Sequence, residues 1–163
     1  MRRRFAPIIC FLLAVGLAAG VAAGCGSEKS NGEAANSASV TKKSGGTLVV
    51  LTVKPRETKT GTDVAMTLTV TNTTGKPQGF TLPSTQAFDF TVFYAKGGQV
   101  YQWSQGKAFA QVITTVTIDP ARSKIYTVTW DTTGQSAGDY QVDGVFKGLP
   151  GVQPRATMTL TAD

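Results

Sequence analysis

Q-A-F-D-F-T-V-F-Y-A-K-G-G-Q-V-Y-Q-W, residues 86–103, is two alternating runs joined by Ala95-Lys96-Gly97-Gly98. Side chains of a strand point to opposite faces with period two. Phe88, Phe90, Val92 and Tyr94 therefore share one face of the first arm, and Asp89, Thr91 and Phe93 the other. In the second arm Tyr101 and Trp103 oppose Val100 and Gln102. Gly97 and Gly98 can take positive φ without a Cβ clash, as a tight hairpin connection requires. The spacing predicts a β-hairpin. Six of the twelve aromatic residues outside the first 25 positions fall in it, so it is the expected nucleus of the core.

Downstream, residues 110–118 are β-branched and apolar, Asp119-Pro120-Ala121-Arg122 is a turn, and Tyr126, Val128 and Trp130 alternate along 124–130. Residues 139–147 and 155–162 give two further strands. Upstream, Val49, Leu51 and Val53 alternate along 47–54, followed by a polar loop at 55–61. Residues 63–72 alternate most cleanly, with Val64, Met66, Leu68 and Val70 against Ala65, Thr67, Thr69 and Thr71. A turn at 72–77 and a short run at 78–82 lead into the hairpin.

About nine short strands, with turn residues between them and no segment of helical period, predict an all-β antiparallel sandwich of about seven to nine strands. Gly138-Asp139-Tyr140-Gln141-Val142 matches the tyrosine-corner segment of immunoglobulin-like domains, with Val142 where antibody domains carry cysteine. The expected fold is an immunoglobulin-like sandwich held by packing, spanning 47–163 as one domain.

The first 46 residues read differently. Arg2, Arg3 and Arg4 precede an apolar run from Ile8 to Val21, and Val21-Ala22-Ala23-Gly24-Cys25 resembles a bacterial lipobox. The expectation is a signal peptide over 1–24, cleavage before Cys25 and lipid on its sulfur, with a lipid-anchored protein on the extracytoplasmic side of a bacterial membrane. Loss of the three arginines lowers the net charge from +6 to +3. So mild a charge says little about nucleic acid, and with no clustered Lys/Arg face no nucleic-acid partner is expected. Residues 25–46 are small and polar and are expected to be a lipidated, flexible tether reaching about 25 Å.

The domain contains no His and no Cys, which excludes Ser-His-Asp and Cys-His catalysis and the usual zinc sites. Asp119, Asp131 and Asp139 occupy turns or strand ends, and Asp89 and Asp143 are expected on polar strand faces. No phosphate loop, EF-hand loop or dinucleotide fingerprint occurs. The expectation is a protein that is not an enzyme and needs no cofactor or metal.

Thr69-Val70-Thr71-Asn72-Thr73-Thr74 before a Lys-Pro turn, Gln86-Ala87-Phe88-Asp89-Phe90, Gly98-Gln99-Val100-Tyr101-Gln102-Trp103-Ser104, Phe109, Pro120, Trp130-Asp131 and Gly138-Asp139-Tyr140 occur together and in order. Over about residues 48–146 the chain resembles the BsuPI family of bacterial intracellular proteinase inhibitors. Asn72, Phe88, Asp89, Phe90, Trp103, Trp130 and Tyr140 carry that signature. The resemblance implies an immunoglobulin-like sandwich that binds a subtilisin-type serine protease without being an enzyme. An inhibitor needs an exposed, pre-organised loop, because little entropy is then lost on docking. Residues 148–154 offer Leu149, Pro150 and Val152 as an apolar key, and 55–62 with Arg56 is the next choice. The alternative is a non-inhibitory tethered module that binds another envelope protein.

Overall fold

The computed structural model describes residues 36–163. The leader and Cys25 lie outside them. Eleven strands form among the described residues, and no helix: β1 (Ala38–Ser44), β2 (Thr47–Lys54), β3 (Glu57–Lys59), β4 (Val64–Asn72), β5 (Gln78–Leu82), β6 (Phe88–Tyr94), β7 (Gln99–Gln102), β8 (Thr114–Ile118), β9 (Ser123–Trp130), β10 (Gly138–Phe146) and β11 (Arg155–Thr161). They make a four-stranded sheet ordered β1-β2-β4-β9, a five-stranded sheet ordered β3-β11-β10-β6-β7, and a two-stranded β5-β8 sheet. All pairs are antiparallel except β3 with β11.

Alternation decides which face is buried. Val49, Leu51 and Val53 of β2 and Val64, Met66, Leu68 and Val70 of β4 turn inward against Phe90 and Val92 of β6, Tyr140, Val142 and Phe146 of β10, and Met158 and Leu160 of β11. The sheets approach closely at Gly144, where an added Cβ would lie 2.9 Å from Leu68 Cδ1 and 3.2 Å from Leu51 Cδ1. Glycine is the residue that lets both leucines fill that space. The tyrosine corner is present as read: Tyr140 is buried and its hydroxyl donates to the Ser136 carbonyl at 2.5 Å. Burial, and next the Tyr94 hydroxyl beside it, push the Tyr140 phenol up to about 12.

The hairpin turns at Gly97 (φ 99°) and Gly98 (φ 91°), and a register shift between Val92 and Phe93 leaves Val100 as an extra residue in its second arm. It forms one edge of the five-stranded sheet and is not the centre of the core. Of its aromatics only Phe90 is fully buried, beside Trp130, Tyr140 and Phe146 from other strands.

Three segments depart from the sequence reading. The tether expected through residue 46 ends earlier, because β1 pairs with β2 in unbroken register from Ala38↔Val53 to Ser44↔Thr47. Only Ala38 and Val40 of β1 pack on the core, so an edge strand here has the composition of a linker. Asn36 is ordered as well: its Oδ1 accepts from the backbone N–H of Arg56 (3.1 Å) and Glu57 (2.9 Å). Within the supposed loop 55–61, β3 pairs with β11. Last, the strand expected over 110–118 begins only at Thr114. Its partner β5 stops at Leu82, where Pro83 opens a bend through Thr85, and residues 110–113 are left without a ladder.

Candidate functional site

Five of the seven signature residues, Asn72, Phe88, Asp89, Phe90 and Trp103, lie toward one end of the sandwich, and Trp130 and Tyr140 pack together toward the other, where Tyr140 pairs with Tyr94. Asn72 is fully buried; its Nδ2 donates to the carbonyls of Lys76 (2.7 Å) and Ile118 (2.8 Å), and its Oδ1 accepts from the Thr74 N–H (2.8 Å) and hydroxyl (2.7 Å). One side chain thus closes both the 73–77 turn and the end of β8. Phe88 stacks on Trp103 with ring centroids 4.2 Å apart and on Tyr126 at 4.6 Å, and meets Phe90 edge-on at 5.7 Å. Trp130 meets Tyr140 edge-on at 5.5 Å.

Asp89 does more than sit on a polar face. It is 4% exposed. Oδ1 accepts from the backbone N–H of Phe90 (3.0 Å) and Ser104 (3.2 Å); Oδ2 accepts from the Ser104 hydroxyl (2.6 Å) and Gln102 Nε2 (2.8 Å). Lys147 Nζ lies 4.0 Å from Oδ2. One carboxylate therefore fixes the root of the loop that leaves β7. Asp143, 1% exposed on the same outer face of the five-stranded sheet, is held by Arg155 Nε (2.6 Å) and Nη2 (2.7 Å) and by Gln153 Nε2 (2.6 Å). The hydrogen bonds and charge of Asp143 push the Arg155 guanidinium above its ordinary value. The expectation that these two aspartates lie on a polar face holds for the strand face, but both are buried, because long neighbouring side chains cover them.

Two further carboxylates have side-chain partners. Asp131 Oδ1 accepts from the Thr133 N–H (2.8 Å), and the bonds from Thr133 hold its carboxyl below the ordinary value. Asp139 accepts from the Thr159 hydroxyl (2.7 Å). Among the described residues no group of three or more His, Cys, Asp or Glu could hold a metal ion.

Three loop segments are tied together beside the start of β6. The Lys147 N–H donates to the Ala87 carbonyl (2.8 Å), and the Thr85 N–H to the Ala110 carbonyl (3.0 Å). These bonds link residues 83–87 with both 103–113 and 147–154. In 148–154, Leu149 and Val152 pack against the core and Pro150 is exposed. Turn bonds from Leu149 N–H to Phe146 carbonyl (3.0 Å) and from Val152 N–H to Leu149 carbonyl (3.2 Å) curl this segment. Along 103–113, by contrast, Trp103 and Phe109 contact each other at 5.8 Å, Lys107 lies over the Trp103 ring at 5.3 Å, and the chain then runs out exposed to Val112 and Ile113. The sequence reading did not single out this segment, since V-I-T-T-V-T-I looks like continuous strand.

The BsuPI family model, described as intracellular proteinase inhibitor, matches residues 51–150. The chain belongs to this family. The BsuPI match covers β3 to β10 whole, and with them Asn72, the hairpin, Asp89 and Tyr140. No curated protein matches the chain in sequence. Among solved structures, a cycloisomaltooligosaccharide glucanotransferase from Paenibacillus sp. is similar at 17% identity and a TM-score of 0.47, over 69% of this chain and 14% of that one. The C-terminal domain of wzt is similar at 10% identity and 0.43, over 77% of this chain and 78% of that one. The CARDB domain of a Pyrococcus furiosus protein gives 19% and 0.36, over 66% and 84%.

Proposed function

We propose that this BsuPI-family protein is an inhibitor of a subtilisin-type serine protease, held on the extracytoplasmic side of a bacterial membrane by lipid on Cys25, and that it docks through an exposed loop of a rigid sandwich. The observation that carries the reading is the family match over residues 51–150, laid on a scaffold whose buried Asp89 and stacked Phe88–Trp103 pair hold the root of an exposed loop. A docking loop held in this way loses little conformational freedom on binding. The lipobox-like sequence ending at Cys25 supports the location.

The test is a titration of the full chain in detergent against subtilisin-type and trypsin-type serine proteases, following residual activity and chain integrity together. Stoichiometric loss of activity with an intact chain is the expected result. Digestion without inhibition contradicts it, and recovery of a non-protease envelope partner from the membrane fraction would then favour the binding-module reading. The anchor is tested separately: radiolabelled palmitate should enter the wild type and not Cys25→Ala, and equal labelling of both would refute it.

A further inference from the structure

We infer that residues 110–114 are the protease-binding segment, with Ile113 entering the primary specificity pocket, and that the partner's pocket is apolar. This rests on the inhibitor reading above. Four large hydrophobic residues are exposed among those described: Tyr94, Val112, Ile113 and Ile125. Two of them are adjacent here, Val112 at 53% and Ile113 at 79% exposed. Water contact on that scale at consecutive apolar residues marks a surface built for an apolar partner.

The segment is held at both ends and free between them. At one end Thr85 grips Ala110 twice: the Thr85 N–H donates to the Ala110 carbonyl (3.0 Å), and the Ala110 N–H donates to the Thr85 hydroxyl (3.1 Å). At the other, the Thr114 hydroxyl donates to the Ser84 carbonyl (3.3 Å) just as β8 begins. Gln111, Val112 and Ile113 take part in no backbone–backbone hydrogen bond among the described residues. Their donors and acceptors are available for strand addition, the way a protease cleft reads an extended substrate. Both anchors come from the single bend at residues 83–85, so the bracket moves as one piece.

The competing surfaces lack one of these properties. Leu149 and Val152 are packed on the core within a turn, and β3 has already committed its backbone to β11. Ile125 stands mid-strand in β9, and Tyr94 packs on Tyr140 at 5.1 Å. The pocket chemistry follows from the bracket itself. It contains no basic residue, and the nearby Lys107 is turned onto the Trp103 ring, so an acidic pocket of trypsin type finds no cation to bind.

The full chain carrying Ile113→Asp, Ile113→Arg or Leu149→Asp is titrated beside the wild type against proteases with apolar and with acidic primary pockets. Ile113 is mostly exposed, and an unchanged melting temperature confirms that its two variants fold. Ile113→Asp should weaken inhibition of an apolar-pocket protease by at least roughly thirtyfold, the size of a hot-spot loss. Ile113→Arg should weaken it likewise and bring new inhibition of a trypsin-type protease, a gain that no structural role for Ile113 would produce. Leu149→Asp puts a carboxylate against the core and should lower the melting temperature, yet below that temperature it should inhibit like the wild type. Undiminished inhibition by Ile113→Asp, with the wild type active, would overturn this assignment and leave the inhibitor reading standing. No inhibition by the wild type overturns both.

Discussion

Removing the Asp89 carboxylate should loosen the root of the exposed loop and lower the stability of the whole domain. In Asp89→Ala four donors lose their acceptor: the Phe90 and Ser104 N–H groups, the Ser104 hydroxyl and Gln102 Nε2. A hydrogen bond to a charged group contributes about 1.5–3 kcal/mol, and an unsatisfied buried donor costs about 1–3 kcal/mol. The four bonds share one carboxylate, however, and its desolvation is recovered when it is removed. Ser104 and Gln102 are only part-buried and can turn to water, whereas the Phe90 N–H cannot. The net loss is therefore about 3 kcal/mol, the low end for breaking a buried charged network. Lys147 adds little, since it stands 4.0 Å away and is itself a third exposed. For a domain of this size the loss corresponds to a fall in melting temperature of about 12 °C. Urea unfolding should show a lower midpoint with an unchanged slope. Asp89→Asn keeps one acceptor oxygen and should lose about half as much. A loss under about 1 kcal/mol in Asp89→Ala would refute the view that this carboxylate holds the loop.

Three further outcomes follow from the packing. Gly144→Ala should cost about 1–3 kcal/mol in chemical denaturation, because its Cβ would press on Leu68 and Leu51 where neither has room to move; a neutral effect would contradict the close approach of the sheets. Tyr140→Phe loses the bond to Ser136 and should cost about 1 kcal/mol. The native phenol binds its proton more tightly than the unfolded one, with a value of about 12 against 10.0, so its contribution is intact below pH 10 and is lost as pH rises toward 12. The stability difference between wild type and Tyr140→Phe, measured by urea midpoint from pH 9 to 11.5, should therefore shrink with rising pH, and a widening difference would reverse the sign. Starting the chain at Gly45 removes β1 and bares the β2 edge, and should lower the melting temperature and promote self-association relative to a chain starting before Asn36; equal behaviour would show that β1 adds nothing.

The strands that bury one face were legible in the sequence, because burial imposes alternation: β2 and β4 bury Val49, Leu51, Val53, Val64, Met66, Leu68 and Val70 and leave the residues between half-buried. The tyrosine corner and the signature aromatics were legible for the same reason, since each fills a fixed place in the core. β1 was not, because an edge strand contributes hydrogen bonds more than apolar surface, and Val40 amid Ser, Thr and Lys carries no periodic signal. Burial of Asp89 and Asp143 was hidden too: it depends on Gln102, Ser104, Gln153 and Arg155 arriving from other strands and loops. The free segment at Val112 and Ile113 was masked by its own β-branched composition. What ends its ladder is the bend at Pro83, just past the end of its partner β5, which local propensity along 110–118 does not register.

The most direct measurement is amide hydrogen exchange of the full chain, alone and with a catalytically inactivated subtilisin-type serine protease. Slowed exchange confined to residues 110–114 and the supporting bend at 83–85 is the predicted footprint. Protection at 148–154 with 110–114 unchanged, or no protection anywhere on the domain, would contradict it.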